Sequence, residues 1–308
     1  MKKSIVLPII LCLTVFMVVK AADDSAVEVT KKPQTDEEKV VSAVSKVAGQ
    51  AVKPKQARKV LIFSRTMGYR HRSIGLGKKT LALLGKESGA YEVVVSDDLA
   101  NFEKPAIDQF DAICFLNTTL NVFGSAKKPE TEEAQEEAKT REARLKKNLA
   151  TYVAGGKGFI GIHAATDTFY EWPEYGNLIG GYFVNHPWRS STDVVIDVEK
   201  GMEKHPLNRG FSTGKLSFKE EIYQFKDPYD SKKLNILTRL NTEESDMKVS
   251  GIQRTDNDFG TSWYKNYGEG RVFYCSLGHN NHIYYNAEVL AHYLAGIQYA
   301  IGDLELKK

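Results

Sequence analysis

The sequence predicts an α/β fold in which an open, mostly parallel β-sheet is covered by helices. Residues 59–64 and 110–117 are short segments whose apolar residues continue without alternation, as in strands that are buried on both faces. Helical segments such as residues 74–85 separate the strands, an order that is typical of parallel sheets. The composition, 42% hydrophobic and 26% charged residues, is sufficient for a large core.

The same patterns predict the remaining elements of the domain. Further core elements are predicted as strands at 91–96, 159–162 and 270–278 and as an amphipathic helix at 287–301. Residues 192–197 and 234–240 are predicted as strands of an excursion or of a second sheet layer. Residues 127–149 predict a charged helix that begins with an insertion near 127–143. The prediction is a single α/β domain over residues 58–303.

The N-terminus predicts export. Basic residues come first, an apolar segment follows at residues 5–19, and small residues precede a cleavage site after Ala21. The apolar segment is shorter than the roughly 20 residues of a spanning helix, so no membrane attachment is expected beyond this signal peptide, residues 1–21. Residues 22–57 are polar and predict a mostly disordered linker, with a short helix at 36–47 as the alternative.

Several classes of function are excluded by what the sequence lacks. The net charge of +3 comes from basic residues scattered among acids, which argues against binding to nucleic acid. No G-x-S-x-G motif, glycine-rich dinucleotide motif or phosphate-binding loop is present. Cys114 and Cys275 lie in apolar strands and form no Cys-x-x-Cys pair, so neither a thiolate metal site nor a reactive thiol is predicted. Acid–base or metal-assisted chemistry by histidines and carboxylates is what these exclusions leave.

The central feature of the sequence is the segment 155–167, in which a glycine-rich turn leads into a short apolar strand that ends on His163. Gly161, Ala164 and Ala165 surround this histidine with small residues. A tight strand-to-helix turn needs small neighbours, as in the turns that carry a nucleophile. The segment therefore predicts a histidine at the carboxyl edge of the sheet, where open α/β folds bind their ligands. The alternative is a buried histidine that only caps a strand.

Histidines also follow the first and the last core strand, at His71 and His279. Because strand ends of one polarity lie along one edge of a parallel sheet, these two residues and His163 can converge. His186 is a fourth candidate. Imidazole transfers protons near neutral pH and is the commonest ligand of transition metals. The sequence thus predicts a histidine site for either kind of chemistry.

Carboxylates and aromatic residues can complete this site. The candidate carboxylates are Asp167, Glu171, Glu174, Glu220 and Glu221. If residues 218–223 form a strand, Glu220 and Glu221 face opposite ways and only one of them points at the site. The aromatic residues between 169 and 188 suit stacking against a sugar ring, with a place in the core as the alternative.

Three further histidines predict structural roles. His205 precedes a proline in a polar turn, and His292 lies inside the terminal helix, where packing is expected. His282 follows His279 by three residues and can either reach the same pocket or belong to an ordinary loop.

Taken together, these segments resemble the trehalose-utilisation (ThuA-like) family. The resemblance rests on six segments in the order of that family, namely 59–74, 155–167, 178–187, His205-Pro206, Glu220-Glu221-Ile222-Tyr223 and 268–279. It covers nearly all of residues 58–302. The family has Asp where Glu220 stands and a proline before Trp263 where this chain has Thr261-Ser262.

The resemblance implies a flavodoxin-like three-layer sandwich of the class I glutamine amidotransferase-like type, without the cysteine at the turn. It implies a role in carbohydrate metabolism, often beside an oxidoreductase that makes 3-keto sugars. Its motif histidines correspond to His71, His163, His186 and His279, and its acidic motif to Glu220, Glu221 and Tyr223. We predict His163, Glu221, His71 and His279 as catalytic residues. The predicted sugar-binding residues are His186, Asp167, Tyr223, Trp188 and Tyr69.

The predicted function is that of an exported enzyme, periplasmic or extracellular, that acts on 3-keto glycosides or disaccharides. Isomerisation, elimination or hydrolysis would proceed by acid–base chemistry without a Ser or Cys nucleophile, with His163 or Glu221 as the base. A divalent metal, held by His71, His163, His186 and His279, is left open as a cofactor. The alternative function is a carbohydrate-binding domain without catalysis.

Overall fold

The computed structural model describes residues 33–211 and 213–306. In chain order the helices are α1 (Asp36–Val47), α2 (Ile74–Ser88), α3 (Glu132–Ala154), α4 (Pro173–Ile179) and α5 (Ala287–Ala300). The strands are β1 (Lys59–Phe63), β2 (Glu92–Val95), β3 (Ala112–Leu116), β4 (Gly158–Ile162), β5 (Tyr182–Trp188), β6 (Asp193–Val198), β7 (Lys215–Lys219), β8 (Ile222–Lys226), β9 (Asn235–Leu240), β10 (Gly260–Tyr267) and β11 (Gly270–Cys275). The predicted signal peptide, residues 1–21, lies outside the described residues.

Nine of these strands form one mixed sheet in the order β2-β1-β3-β4-β11-β10-β9-β6-β7. The first five strands in this order, β2, β1, β3, β4 and β11, are parallel to one another. The remaining four join by antiparallel pairing. The predicted α/β class and the largely parallel core are confirmed, whereas the flavodoxin-like layering stays a prediction.

The two faces of the parallel half belong to two different hydrophobic clusters, which explains the uninterrupted apolar strands. In β3, Ile113 and Phe115 join the cluster that contains residues of α3 and α4, such as Leu149. Cys114, between them, joins the other cluster with residues of α2 and α5, such as Leu294. Successive side chains of a strand point to opposite faces, so a strand covered on both sides needs apolar residues at every position.

The excursion differs from the prediction in its connections. The strands predicted at 192–197 and 234–240 are β6 and β9, and both extend the main sheet instead of forming a second layer. A separate antiparallel sheet does exist, but it consists of β5 and β8. The charged segment near 127–143 falls mostly in the first half of α3, which is one continuous helix.

The segment before β1 is more ordered than predicted. The linker prediction is wrong for residues 36–57, because α1 buries Val40, Val44 and Val47 in the core, and the helix named as the alternative has the bounds observed. The spacing of these valines places them on one face of a helix. Beyond the helix, the backbone N–H of Val52 donates to Gln298 Oε1 at 3.0 Å. Within the described ranges, no helix combines the length and apolarity that crossing a membrane requires.

The packing of α1 can be tested with two valines of the same helix. Val44 is fully buried, whereas Val41 is 59% exposed. Val44→Ala is expected to lower the free energy of unfolding by about 1–3 kcal/mol, because it removes buried methyl groups. Val41→Ala is expected to change it by less than about 0.5 kcal/mol. Urea unfolding of both variants measures the difference, and equal stabilities would show that α1 does not dock on the domain.

The buried His292 makes stability depend on pH. Its Nδ1 lies 2.7 Å from the carbonyl oxygen of Leu207 and its Nε2 lies 3.0 Å from Ser262 Oγ. Burial lowers its pKa to about 4. The unfolded chain therefore binds this proton at higher pH, so the stability from His292 is complete above about pH 6.5 and is lost as the pH falls toward 4.

We expect this loss to amount to about 2 kcal/mol at pH 5 relative to pH 7. In His292→Gln, which keeps a polar side chain but cannot titrate, the decrease in the free energy of unfolding between pH 7 and 5 should be smaller by about that amount. Urea unfolding at the two pH values measures it. An unchanged pH dependence in the variant would contradict the assignment.

Candidate functional site

His163 stands at the turn that ends β4, with a backbone φ of +50°. The strand before this turn is closely packed, since a Cβ on Gly161 would lie 3.0 Å from both Ile179 and Tyr274. A short 3-10 turn, His163–Thr166, follows the strand in place of the predicted helix, and α4 begins only at Pro173. Non-glycine residues with positive φ are uncommon and concentrate at functional sites.

The hydrogen bonds of His163 assign its tautomer. Its Nδ1 lies 2.6 Å from the carbonyl oxygen of Ser276, which can only accept, so Nδ1 carries the proton. The Nε2 lone pair is therefore available, and the hydroxyl of Tyr223 donates to it at 2.7 Å. The hydroxyl of Tyr274 donates to the carbonyl oxygen of His163 at 2.8 Å and holds the backbone of the turn.

The predicted strand-end histidines converge on His163. The Nε2 of His71 lies 3.1 Å from the Nε2 of His163. Glu221 Oε2 lies 3.7 Å from His163 Nε2 and 2.9 Å from His279 Nδ1. One side-chain atom from each of these four residues lies within 4.8 Å of all the others. We call His71, His163, Glu221 and His279 the histidine–glutamate cluster.

The electrostatics of this cluster separate its histidines. Burial, together with the nearby His279 and His186, lowers the pKa of His71 to about 3. Burial and the neighbouring imidazoles also hold the pKa of His163 well below its usual value. Burial lowers the pKa of His279 as well, but the Glu221 carboxylate raises it by more, so its net shift is upward. Two neutral imidazoles thus face a pair formed by a carboxylate and a more basic imidazole.

Glu220 and Glu221 lie between β7 and β8 and serve different purposes. Glu220 is fully buried and accepts three backbone N–H groups, from Gly278 at 3.2 Å, His279 at 2.6 Å and Asn280 at 3.1 Å. Burial raises its pKa to about 7, although these hydrogen bonds act in the opposite direction. Only Glu221 reaches the histidines, as the sequence predicted, although residues 220 and 221 form the link between two strands and not one strand.

The cluster is closed on one side and open on the other. His163 is fully buried and His71 nearly so, whereas the side chain of His186 is 41% exposed with its Nδ1 3.7 Å from Glu221 Oε1. Tyr69 is 60% exposed, and its ring lies 4.8 Å from that of His71 and 6.5 Å from that of His279, which it stacks against. A ligand therefore reaches the cluster past Tyr69, His279 and His186.

Other predicted site residues lie apart from the cluster. Trp188 is fully buried, packs on Phe259 and donates its indole N–H to Asp246, so it cannot offer a ring face to a sugar. Asp167 is half-buried and accepts the hydroxyl of Tyr170 at 2.5 Å, and burial raises its pKa. Most aromatic residues between 169 and 188 are core residues, including Phe169, Tyr175 and Tyr182.

The structural histidines have the positions expected of them. His205 Nδ1 accepts the backbone N–H of Leu207 in a turn, as predicted. His292 is buried in α5, as predicted. His282 lies outside the histidine–glutamate cluster and is near Phe218, which agrees with the loop alternative.

The loop after β3 lines the open side and was not predicted as part of the site. Asn117 Nδ2 donates to Ser73 Oγ and to the carbonyl oxygen of Gly278, both at 3.1 Å, and Asn117 and Leu120 have positive φ. The side chain of Leu120 lies beside Gly68. The sequence feature that could have predicted this loop is that Asn117 follows a core strand at the same edge as the histidines. Asn117 was not selected because its side chain is uncharged.

A metal ion would find its ligands in the histidine–glutamate cluster. This set differs from the four histidines named from the sequence, because Glu221 takes the place of His186. His186 lies instead beside the outer oxygen of that carboxylate. Imidazole and carboxylate groups are ordinary ligands of divalent transition metals.

The fold and the site define an α/β protein that carries a cluster of three histidines and a glutamate at the ends of its parallel strands. The family model described as "Trehalose utilisation" matches residues 59–300, and the chain belongs to this family. It is similar to a ThuA-like protein from Bacteroides uniformis, with 19% identity, a TM-score of 0.57, and coverage of 81% of this chain and 94% of that one. A ThuA-like protein from Parabacteroides merdae gives 17% identity, a TM-score of 0.55, and coverage of 82% and 93%. At this identity both likenesses show the fold alone. No curated protein matches the sequence.

Proposed function

We propose that this protein is an enzyme that acts on oxidised sugars, 3-keto glycosides or disaccharides, by acid–base chemistry. Membership of the trehalose-utilisation family supports a carbohydrate-related role. The observation that carries the proposal is the convergence of His71, His163, His279 and Glu221 within 4.8 Å at the end of the parallel strands. Proton acceptors and donors placed together beside an open rim are what enolisation of a ketone requires.

The reaction follows from the chemistry of the substrate. A carbonyl at one ring carbon acidifies the C–H of the next carbon. When a base removes that proton, the C–H electron pair forms a C=C bond and the carbonyl oxygen becomes an oxyanion. Returning a proton to the former carbonyl carbon isomerises the sugar, provided that the hydroxyl on the deprotonated carbon gives up its proton to become the new carbonyl and the oxyanion takes up a proton to become a hydroxyl. Elimination instead expels the glycosidic oxygen from the carbon on the far side of the deprotonated one, with a proton to that oxygen, and the oxyanion becomes a carbonyl again. Neither route needs a covalent intermediate with the enzyme.

The cluster offers the groups for these steps. His163 presents an unprotonated Nε2, since its Nδ1 proton is held by Ser276, and Glu221 is the carboxylate in reach of it. His279, whose pKa is raised beside Glu221, supplies a proton donor for the developing oxyanion. The hydroxyl of Tyr223, 2.7 Å from His163 Nε2, is a second donor. The candidate bases and the two proton donors therefore lie next to one another at the site.

Tyr69 is proposed as the surface on which the sugar ring lies. Its ring is exposed and adjoins His71 and His279, so a ring that stacks on it would place its carbons near the cluster. Aromatic faces bind the apolar C–H face of sugars while their polar edges stay in water. The same surface is the basis of the alternative function, a carbohydrate-binding domain without catalysis.

Export, and a partner oxidoreductase that produces the keto sugar, belong to this proposal. The basic start and the apolar segment of residues 5–19 support export. The oxidoreductase is implied by the substrate, since a 3-keto sugar arises by oxidation of the corresponding alcohol.

Exchange of substrate hydrogen with solvent tests the enzymatic function. In deuterium oxide, the protein is expected to replace the hydrogen next to the carbonyl of a 3-keto glucoside, as followed by NMR. His163→Asn removes the imidazole while an asparagine tolerates the positive φ, and the exchange rate should fall by about 100-fold or more. His282→Ala, outside the cluster, should exchange at the native rate.

The outcomes separate the two functions. Binding of the keto glucoside without exchange or turnover would contradict the enzyme and favour the carbohydrate-binding domain. Native exchange in a folded His163→Asn variant would contradict the central role of His163.

The role of Tyr69 is tested by measuring how its substitution changes KM and kcat separately. Tyr69→Ala should raise KM severalfold, corresponding to about 1 kcal/mol of lost stacking, with little change in kcat. Tyr69→Phe keeps the ring and should stay near the native KM. Val95→Ala, which changes another exposed hydrophobic residue, is the control. A native KM in Tyr69→Ala would exclude Tyr69 from the sugar-binding surface.

A further inference from the structure

We propose that the histidine–glutamate cluster binds one divalent first-row transition metal ion. Its four ligand atoms come from four separate parts of the chain, yet all lie within 4.8 Å of one another. His71 follows β1, His163 ends β4, Glu221 links β7 to β8, and His279 follows β11. This inference deepens the proposed function, on which the role of the ion in the reaction rests.

The distances within the cluster match the spacing of ligands around a small cation. Ligands about 2.0–2.1 Å from a tetrahedral zinc ion lie about 3.4 Å from one another. The distances observed here are 3.1 Å between the Nε2 atoms of His71 and His163, 3.7 Å between His163 and Glu221, and 2.9 Å between Glu221 and His279. These three distances are compatible with ligands that share one small cation.

The hydrogen bonds of His163 give a second argument. Because its Nδ1 proton is held by Ser276, its Nε2 has one lone pair, and the hydroxyl of Tyr223 already donates to that lone pair. The Nε2 of His71 also lies close, 3.1 Å from the Nε2 of His163. If His71 carries its proton there, two donors share one lone pair. If it does not, two lone pairs face each other. A cation between the imidazoles resolves the conflict, since both lone pairs then point at it.

The surroundings of the ligands are those of a prepared metal site. Metal-binding histidines commonly donate their other ring N–H to a carbonyl or a carboxylate, which fixes the ring and its tautomer. Ser276 does this for His163. Glu220 acts as a positioning residue for His279, because it holds the backbone N–H groups of residues 278–280.

The ligand set also selects the kind of metal. Three imidazoles and one carboxylate suit Zn²⁺, Fe²⁺, Co²⁺ or Mn²⁺, whereas Mg²⁺ and Ca²⁺ prefer sites made of oxygen atoms. The open side of the cluster, next to His186 and Tyr69, leaves access for a substrate oxygen. With an ion bound, His163, Glu221 and His279 would be its ligands and would no longer act as base or proton donor. The ion would polarise the oxygen of a keto sugar, and His186 beside Glu221 and the hydroxyl of Tyr223 would be the groups left to transfer protons.

Metal binding is measured directly on the purified chain after dialysis against a chelator. Calorimetric titration with Zn²⁺ should give one equivalent bound, and Co²⁺ should bind with a visible absorption spectrum that a second titration with Zn²⁺ removes. Mg²⁺ should not compete. Bound Zn²⁺ should raise the melting temperature, because it binds only the folded chain.

Two variants and one control locate the site. Glu221→Gln and His279→Ala should each weaken Zn²⁺ binding by about 100-fold or more, while His282→Ala should bind as the native chain does. Tyr223→Phe should keep the metal, since its hydroxyl is not among the ligands. Circular dichroism of each metal-free variant confirms that it is folded.

The outcomes decide between a metal site and a proton-transfer cluster. Absence of stoichiometric binding, or equal affinity in the native chain, Glu221→Gln and His279→Ala, would overturn the metal site. Because binding is measured without a sugar, a protein that holds Zn²⁺ but does not exchange the hydrogens of keto sugars would sustain this inference and contradict the proposed function. If a chain that binds no metal exchanged these hydrogens at the native rate, the proposed function would be supported and the metal site would be contradicted.

Discussion

The hydrogen bond between His163 Nδ1 and the carbonyl oxygen of Ser276 is the interaction on which the site depends. It joins the end of β4 to the residue that follows β11, the neighbouring parallel strand. It fixes the ring of His163, assigns its proton and turns the Nε2 lone pair toward His71 and Glu221. The positive φ of His163 is tolerated because small residues and the hydroxyl of Tyr274 hold the turn in place.

The adjacent carboxylates of Glu220 and Glu221 have different roles, since Glu220 holds the backbone of a loop and Glu221 faces the histidines. A buried carboxylate is costly unless it is hydrogen-bonded, and Glu220 meets this condition through three backbone N–H groups. By holding that loop, Glu220 places His279 against Glu221.

The sequence was sufficient for most of the α/β core, and the reason is physical. Strands buried on both faces need apolar residues at every position, so β1, β3 and β4 are visible as apolar segments, and the parallel order makes it possible to predict that His71, His163 and His279 converge. The partly exposed strands β6 and β9 of the excursion lack this continuous apolar pattern, and their pairing depends on contacts between residues distant in sequence. For this reason β6 and β9 were predicted as strands of an excursion or of a second sheet layer, and only the structure shows that they extend the main sheet.

The same distinction explains the errors at the site. An aromatic residue in a polar stretch has the same pattern whether its ring is exposed or buried, so Trp188 was predicted to bind sugar although it is a core residue, whereas Tyr69 is exposed. His186 was grouped with the other histidines because it was expected where a loop meets a strand and corresponds to a histidine of the family motif. It lies on β5, and its Nδ1 is 3.7 Å from Oε1 of Glu221. The residue types in the sequence showed which side chains could take part in a site. Which of these side chains are in contact depends on how distant segments of the chain pair in the fold.

The site is assembled from two parts of the fold with different duties. The parallel strands present His71 and His163 at a buried edge, where desolvation favours neutral imidazoles, and they bring His279 beside Glu221. The segment from β7 to β8 brings Glu221 and Tyr223 across that edge, and β5 adds the exposed His186. Histidines alone would form a cluster of mutually repelling groups if protonated. The single carboxylate of Glu221 gives the cluster its asymmetry, because it raises the pKa of His279 while burial lowers the pKa of His71 and of His163. That asymmetry is what either a bound cation or a proton transfer to a sugar would use.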